Sequence, residues 1–62
     1  MQVEIFLNGV KEPVVYKGDR IDVLDFKMNN VDYKQIRCFV NGFSKSELIE
    51  KKLIKRISEK SE

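Results

Sequence analysis

Hydrophobic and polar positions alternate over the first seven residues, which is the pattern of a half-buried β-strand. The apolar side chains of one parity are Val3, Ile5 and Leu7. An Asn-Gly dipeptide follows, and both residue types tolerate the positive φ of a tight turn. The apolar run over residues 13 to 16 predicts a second strand, which begins at a proline. A two-residue loop would place Ile5 opposite Glu12, so we expect a longer loop over residues 8 to 12.

Residues 20 to 28, RIDVLDFKM, fit both a strand and a helix. In a strand, alternate apolar side chains from Leu24 to Met28 share one face. In a helix, Asp19 would be the N-cap and an apolar stripe would follow it. The β-branched and aromatic content favours the strand, and the Asn-Asn pair after it can then turn the chain.

The next stretch changes the parity of its apolar positions. Val31 and Tyr33 share one parity, whereas the apolar side chains of residues 36 to 40 have the other. A bulge or short turn near residues 34 and 35 would bring both groups to one face. A further strand is therefore predicted over residues 36 to 40.

The strongest periodic signal lies in the last third of the chain. Ser44 and Glu47 form an S-x-x-E capping box, which is typical of a helix N-terminus. Apolar positions then recur at i, i+4 and i+8, the spacing of one helical face. They are Ile49, Leu53 and Ile57, with Ile54 beside them. The pattern predicts an amphipathic helix, and the polar residues 58 to 62 are expected to fray.

These elements predict an α+β fold in one domain, residues 1 to 62. We expect a small, mainly antiparallel β-sheet of about four strands, with the C-terminal amphipathic helix packed on one face. The minority alternative is a ββαβα order, because the opening MQVEIFLNG resembles the first hairpin of ubiquitin-like sulfur carriers. That resemblance implies a helix over residues 20 to 28 and a C-terminal Gly-Gly. The sequence ends in Lys-Ser-Glu instead, so we expect no carrier function.

Composition removes several classes of chemistry. The 62 residues contain one cysteine and no histidine, so neither an intrachain disulfide nor the usual zinc-ligand sets can form. Because the sequence has no histidine, it lacks the commonest general base. The three glycines are isolated in predicted turns rather than grouped in a phosphate-binding loop. We expect no enzyme, no cofactor, no metal site and no small-molecule substrate.

Cys38 and three aspartates are the remaining candidates for chemistry. Cys38 has the parity of its apolar neighbours, so we interpret it as a small buried side chain rather than a nucleophile. Asp19, Asp22 and Asp25 share a face only in a helix, and they lack the spacing of a calcium loop. The predicted strand separates the last two onto opposite faces.

The sequence contains no signal of membrane insertion or export. Its start has no basic segment followed by a long apolar run, and the longest apolar run is three residues. We therefore expect a cytoplasmic protein. Richness in Lys, Ile, Asn and Glu is typical of AT-rich coding sequences and indicates a bacterium or phage.

Function is predicted to lie in binding. A sheet with one helix leaves one face uncovered, and bulky apolar side chains on that face would mark an interface. We expect a regulator or inhibitor that docks on a protein partner or forms a homodimer. The expected partner-binding residues are Phe6, Val15, Arg37, Phe39 and Phe43.

The alternative function is nucleic-acid binding by the lysine-rich predicted helix. Its residues are Lys51, Lys52, Lys55 and Arg56. Twelve Lys and Arg residues against ten Asp and Glu give a formal charge of only +2. Glutamates are interspersed among the lysines and no aromatic side chain is present for base stacking. A solvated helix face is therefore the favoured interpretation.

Overall fold

A computed structural model describes residues 1 to 60, which form two three-stranded antiparallel β-sheets. The strands are β1 (Gln2–Leu7), β2 (Val14–Lys17), β3 (Arg20–Met28), β4 (Val31–Val40), β5 (Phe43–Glu50) and β6 (Ile54–Lys60). A 3-10 turn, Lys51–Leu53, joins β5 to β6. The strand orders are β2-β1-β6 and β3-β4-β5, and the Cα trace measures 33 × 27 × 13 Å.

The predicted C-terminal helix is wrong, and with it the α+β class. The three-residue 3-10 turn is the only helical element within residues 1 to 60. The ββαβα alternative is wrong as well, because residues 20 to 28 form β3. Six strands replace the four expected, so the part of the chain that the structure describes is nearly all β.

The Asn-Gly pair after β4 is the local cause of the difference. Asn41 and Gly42 have φ angles of 50° and 81°, which is the backbone of a two-residue hairpin turn. This turn returns the chain antiparallel to β4 and sets Val40 opposite Phe43. Pairing along β4 therefore overrides the helix propensity of the segment, and the capping-box residues lie within β5.

The central position of β1 explains why residues 54 to 60 form a strand, β6, rather than part of a helix. A central strand needs hydrogen-bonding partners on both sides, and β6 pairs with the side of β1 that β2 leaves open. Ile57 lies opposite Ile5, and Ile54 lies opposite Leu7. The predicted helical stripe is thus divided between strands, and Leu53 is 49% exposed in the 3-10 turn. Residues 58 to 60 belong to β6, whereas residues 61 and 62 of the predicted frayed segment lie outside the described part.

The strands predicted in the first thirty residues are confirmed, although β2 begins at Val14 rather than at Pro13. Residues 20 to 28 form a strand, and Ile5 lies opposite Val14 as the longer first loop requires. Asn29 and Asn30 both have positive φ angles, 51° and 63°. The second hairpin turn therefore has the backbone that this Asn-Asn pair predicts.

The bulge predicted near residues 34 and 35 is wrong. Each residue of β4 from Val31 to Phe39 pairs with β3 without a register shift. The two groups of apolar residues in β4 therefore lie on opposite faces of the sheet. Ile36 faces the core, and Tyr33 points to the other face. One strand places apolar side chains on both faces of its sheet.

The hydrophobic core lies between the two sheets. Its buried residues are Val3 and Ile5 of β1, Ile21 of β3 and Ile36 of β4. Nine large apolar side chains are exposed, more than the core contains. The exposed ones are Val10, Val15, Leu24, Phe26, Met28, Val40, Phe43, Leu48 and Leu53.

The chain passes from one sheet to the other at Gly18. The amide of Gly18 donates to the carbonyl oxygen of Met1 (3.1 Å), and the amide of Asp19 donates to that of Phe39 (2.8 Å). A Cβ atom on Gly18 would lie 2.7 Å from Cys38 Sγ and 2.8 Å from the Phe39 oxygen. Only glycine allows the chain that follows β2 to approach β4 this closely.

Candidate protein-binding site

A groove of about 620 Å³ lies between the edge strands β2 and β5, over the inner face of β4. Its apolar lining consists of Val14, Val15, Tyr16, Ile36, Cys38, Val40 and Phe43. β2 has four residues and β4 has ten, so the first sheet leaves the end of this inner face uncovered. Alternation along β4 directs its even-numbered side chains into the groove.

A hydrogen bond between the sheets spans the groove. Tyr16 Oη of β2 donates to Glu47 Oε2 of β5 at 2.6 Å. Burial of the phenol, together with the hydrogen bond to Glu47 and its negative charge, raises the pKa of Tyr16 above its ordinary value. The phenol therefore stays protonated and continues to donate at neutral pH. The contact fixes the spacing of the two groove walls.

Cys38 lies on the groove floor as a free, half-buried thiol. Its Sγ donates to the carbonyl oxygen of Lys17 at 3.2 Å, which satisfies a backbone acceptor of the short edge strand. The side chain is small and packs against the core cluster. Its surroundings are those of a structural residue.

The groove rim is apolar with a basic border. Phe43 is 80% exposed, and Val15 and Val40 are also exposed. Lys17 and Lys45 line the same groove, and neither forms an ion pair with a carboxylate of residues 1 to 60. The site thus combines an apolar floor with two lysines and one carboxylate, that of Glu47, which accepts the hydrogen bond from Tyr16.

A second apolar surface lies on the outer face of the β3-β4-β5 sheet, and we name it the outer patch. It consists of Leu24, Phe26, Met28, Val31, Tyr33 and Leu48. Phe26 lies opposite Tyr33, and Met28 lies opposite Val31. Since the core is on the other face of this sheet, none of these side chains packs against the core cluster.

The five predicted partner-binding residues do not form one surface. Phe6 points away from the core on the β2-β1-β6 sheet, and Arg37 and Phe39 do so on the other sheet. Val15 and Phe43 both line the groove, and Arg37 lies beside Phe39 on the outer face of β4. The prediction assumed a single sheet, and the division of the strands between two sheets separates these side chains.

Cations cover the two outward-pointing phenylalanines of this set. The guanidinium of Arg56 lies 4.1 Å from the ring centroid of Phe6. Those of Arg37 and Arg20 lie 5.4 and 5.6 Å from the Phe39 ring. These cation–π contacts occupy ring faces that the prediction assigned to a partner.

The predicted nucleic-acid-binding residues are dispersed. Lys51 and Lys52 belong to the 3-10 turn, where their Nζ atoms lie 3.8 Å from Asp25 Oδ1 and 3.7 Å from Glu50 Oε2. Lys55 and Arg56 lie in β6. Without the helix, no single helical face gathers these charges.

The three aspartates considered for metal binding have separate partners. Asp19 Oδ2 accepts the amide hydrogen of Asn41 at 3.0 Å. Asp22 accepts from Arg20 at 3.1 Å, and Asp25 accepts from Lys34 Nζ at 2.6 Å. Within residues 1 to 60, no three potential metal-binding side chains converge.

Sequence reasoning missed the groove because its walls come from two sheets. The available signal was the second Asn-Gly pair, which indicates a hairpin as strongly as the first one does. That hairpin would have placed Phe43 directly after β4, opposite Val40. The prediction instead used these residues as the start of a helix.

No family model, curated protein or solved structure matches this chain. Among the described residues, no helix is long and apolar enough to cross a lipid bilayer.

Proposed function

We propose that this chain is a small non-catalytic binding module that holds an extended segment of a protein partner in the groove between β2 and β5. The observation that carries the proposal is the groove itself, an apolar cleft of about 620 Å³ in a domain of 62 residues. A regulator or inhibitor of a larger cytoplasmic protein fits this role.

The two groove walls favour an extended occupant. Both β2 and β5 are edge strands that pair on one side only. About half of the backbone N–H and C=O groups of an edge strand point away from its neighbour. An added strand satisfies these groups and places alternate side chains into pockets. The groove offers both the unpaired edge and the apolar pocket.

The lining of the groove defines the chemistry of that segment. Ile36, Cys38 and Val40 form an apolar floor, which suits an aliphatic or aromatic side chain. Lys17 and Lys45 border it, and an acidic residue flanking the apolar one would complement their charge. The expected ligand is therefore an extended peptide that alternates apolar and acidic side chains.

Selection from a display library of random twelve-residue peptides tests the proposal. We expect the selected peptides to combine apolar residues with an excess of Asp and Glu. In ¹H–¹⁵N spectra, their binding should shift amide signals of β2, the end of β4 and β5. Phe43→Ala should weaken binding about tenfold, a loss of about 1.4 kcal/mol, because it removes an exposed anchor without opening the core.

The matched control is Val10→Ala, which removes an exposed apolar side chain from the β1–β2 loop and should leave affinity unchanged. Selected peptides that shift signals only outside the groove, or that bind the Phe43→Ala variant as tightly as the parent, would contradict the proposal.

A labelled single-stranded oligonucleotide tests the alternative function. We expect only weak binding that is lost by about physiological ionic strength, because the formal net charge of the chain is only +2. Micromolar affinity in physiological salt, lost when Lys51, Lys52 and Lys55 are replaced by glutamine, would support nucleic-acid binding instead.

A further inference from the structure

β3 presents a long unpaired edge on the side of the molecule away from β4. It has nine residues and pairs only with β4, and its pairing contains no register shift. All of residues 24 to 28 are exposed. Edge strands are normally short, bulged or interrupted by proline, because an open edge pairs readily with another strand. β3 has none of these features.

The sequence of this edge is complementary to itself about Phe26. In an antiparallel pair, directly opposite side chains lie on the same face. When Phe26 lies opposite Phe26 of a second copy, Leu24 lies opposite Met28 on the outer face. On the inner face, Asp25 lies opposite Lys27, and the symmetry repeats this contact.

We propose that β3 pairs antiparallel with β3 of a second copy about a two-fold axis at Phe26. The interface is isologous, so each contact occurs twice. The β3-β4-β5 sheets of the two copies then form one six-stranded sheet. The outer patches of the two copies become one continuous apolar surface. The proposal goes beyond the groove function, because β2 and β5 remain open in the dimer.

The charges of the edge select this register. Among registers that keep both outer patches on one side, centring on Asp25 or Lys27 sets like charges opposite each other. Centring on Leu24 sets both charges opposite apolar side chains. Only the register centred on Phe26 gives both Asp25 and Lys27 an oppositely charged partner.

The side chains at this edge are available for the contact. Lys34 and Lys51 both approach the Oδ1 atom of Asp25, so Oδ2 remains open to a lysine of the second copy. Lys27 forms no ion pair with the carboxylates of residues 1 to 60. Charges that face inward at an edge usually discourage pairing, but two opposite charges in this arrangement favour one partner strand.

The size of the contact determines its strength. A standard protein interface uses about 20–30 residues from each partner, and five residues of one edge are far fewer. We therefore expect a monomer–dimer equilibrium that depends on protomer concentration rather than an obligate dimer.

Charge exchange tests the register by sedimentation equilibrium. Asp25→Lys alone sets lysine opposite lysine, and Lys27→Asp alone sets aspartate opposite aspartate. Each variant should dimerise about tenfold more weakly than the parent, because two cross-strand pairs change from attraction to repulsion. An equimolar mixture of the two variants restores opposite charges at every contact, and its association should return to the parental level.

The mixture distinguishes an effect on the interface from an effect on folding. Asp25→Lys also removes the contact with Lys34 of the same chain, and a second chain cannot restore that contact. Phe26→Lys should abolish the dimer by placing two lysines at the axis, whereas Val10→Lys, an exposed site elsewhere, should not. Phe43→Ala should leave dimerisation unchanged, so failure of the groove proposal is distinguishable from failure of this one. A parent that stays monomeric at about millimolar concentration, or a dimer indifferent to Phe26→Lys and to charge exchange, would overturn the proposal.

Discussion

Alanine substitutions at Ile5 and Leu53 measure directly whether the core lies between two sheets or under a C-terminal helix. Ile5 is fully buried in the centre of the β2-β1-β6 sheet, whereas Leu53 is 49% exposed in the 3-10 turn. A packed helix would bury Leu53 as part of its apolar stripe. The two architectures therefore predict opposite orders for the loss of stability.

The magnitudes follow from burial. Ile5→Ala removes three carbon atoms from a closed core and should cost about 2–5 kcal/mol, including the cavity left behind. Complete burial of a leucine side chain contributes about 1.5–3 kcal/mol. Leu53→Ala loses at most about half of that, and no closed cavity remains, so we expect about 1.5 kcal/mol or less.

Guanidinium unfolding followed by far-ultraviolet circular dichroism is a suitable assay, at one fixed protomer concentration because dimerisation adds apparent stability. A chain of 62 residues has a total stability of about 3–9 kcal/mol, so Ile5→Ala could unfold outright. Ile5→Val, expected to cost about 0.5–1.5 kcal/mol, keeps the comparison measurable. If Leu53→Ala destabilises the protein by several kcal/mol while Ile5→Val is neutral, the two-sheet core is wrong.

Two further substitutions probe the sheet junction and the Asp25 ion pairs. Gly18→Ala should cost about 1–3 kcal/mol by overpacking, because its Cβ would lie 2.7 Å from Cys38 Sγ; an unchanged melting temperature would show that the chain bend is not this tight. Lys34 and then Lys51 hold the pKa of Asp25 below its ordinary value of 3.8, so this carboxylate stabilises the fold above about pH 3.8 and loses that effect as the pH falls through its lowered pKa. Lys34→Met should raise the pKa of Asp25 in a carboxyl NMR titration and lower stability at neutral pH but not in strong acid, and an unchanged pKa would exclude the Lys34 contact in solution.

The elements that sequence predicted correctly depend on local chemistry. Asn29 and Asn30 tolerate the positive φ angles that a hairpin turn needs, and the β-branched and aromatic residues of β3 favour a strand wherever it pairs. The turn after β4 carried a signal of equal strength. The prediction gave more weight to the helix propensity of the glutamates, lysines and leucines that follow. That propensity decides the structure only where the segment has no neighbouring strand to pair with.

The candidate site depended on information that local patterns do not contain. The groove exists because β2 ends before it covers the inner face of β4, and this follows from the packing of two sheets. The parity of Val31 and Tyr33 already indicated the outer patch. Because the prediction assumed that each strand has one apolar face, it explained the change of parity by a bulge. A strand that is apolar on both faces was the better interpretation, because β4 pairs with β3 without a register shift.

The neighbouring positions of β1 and β6 have a consequence for how the chain acquires its structure. The β3-β4-β5 sheet joins consecutive strands through two-residue turns, so it closes only short loops. The pairing of Ile5 with Ile57 instead closes a loop of some fifty residues, and non-local pairing of this kind forms slowly. During synthesis on a ribosome, we expect the β3-β4-β5 sheet to form while one edge of β1 is still unpaired. The most exposed stage of synthesis is therefore the interval before β6 emerges, when an unpaired central strand is available to other chains.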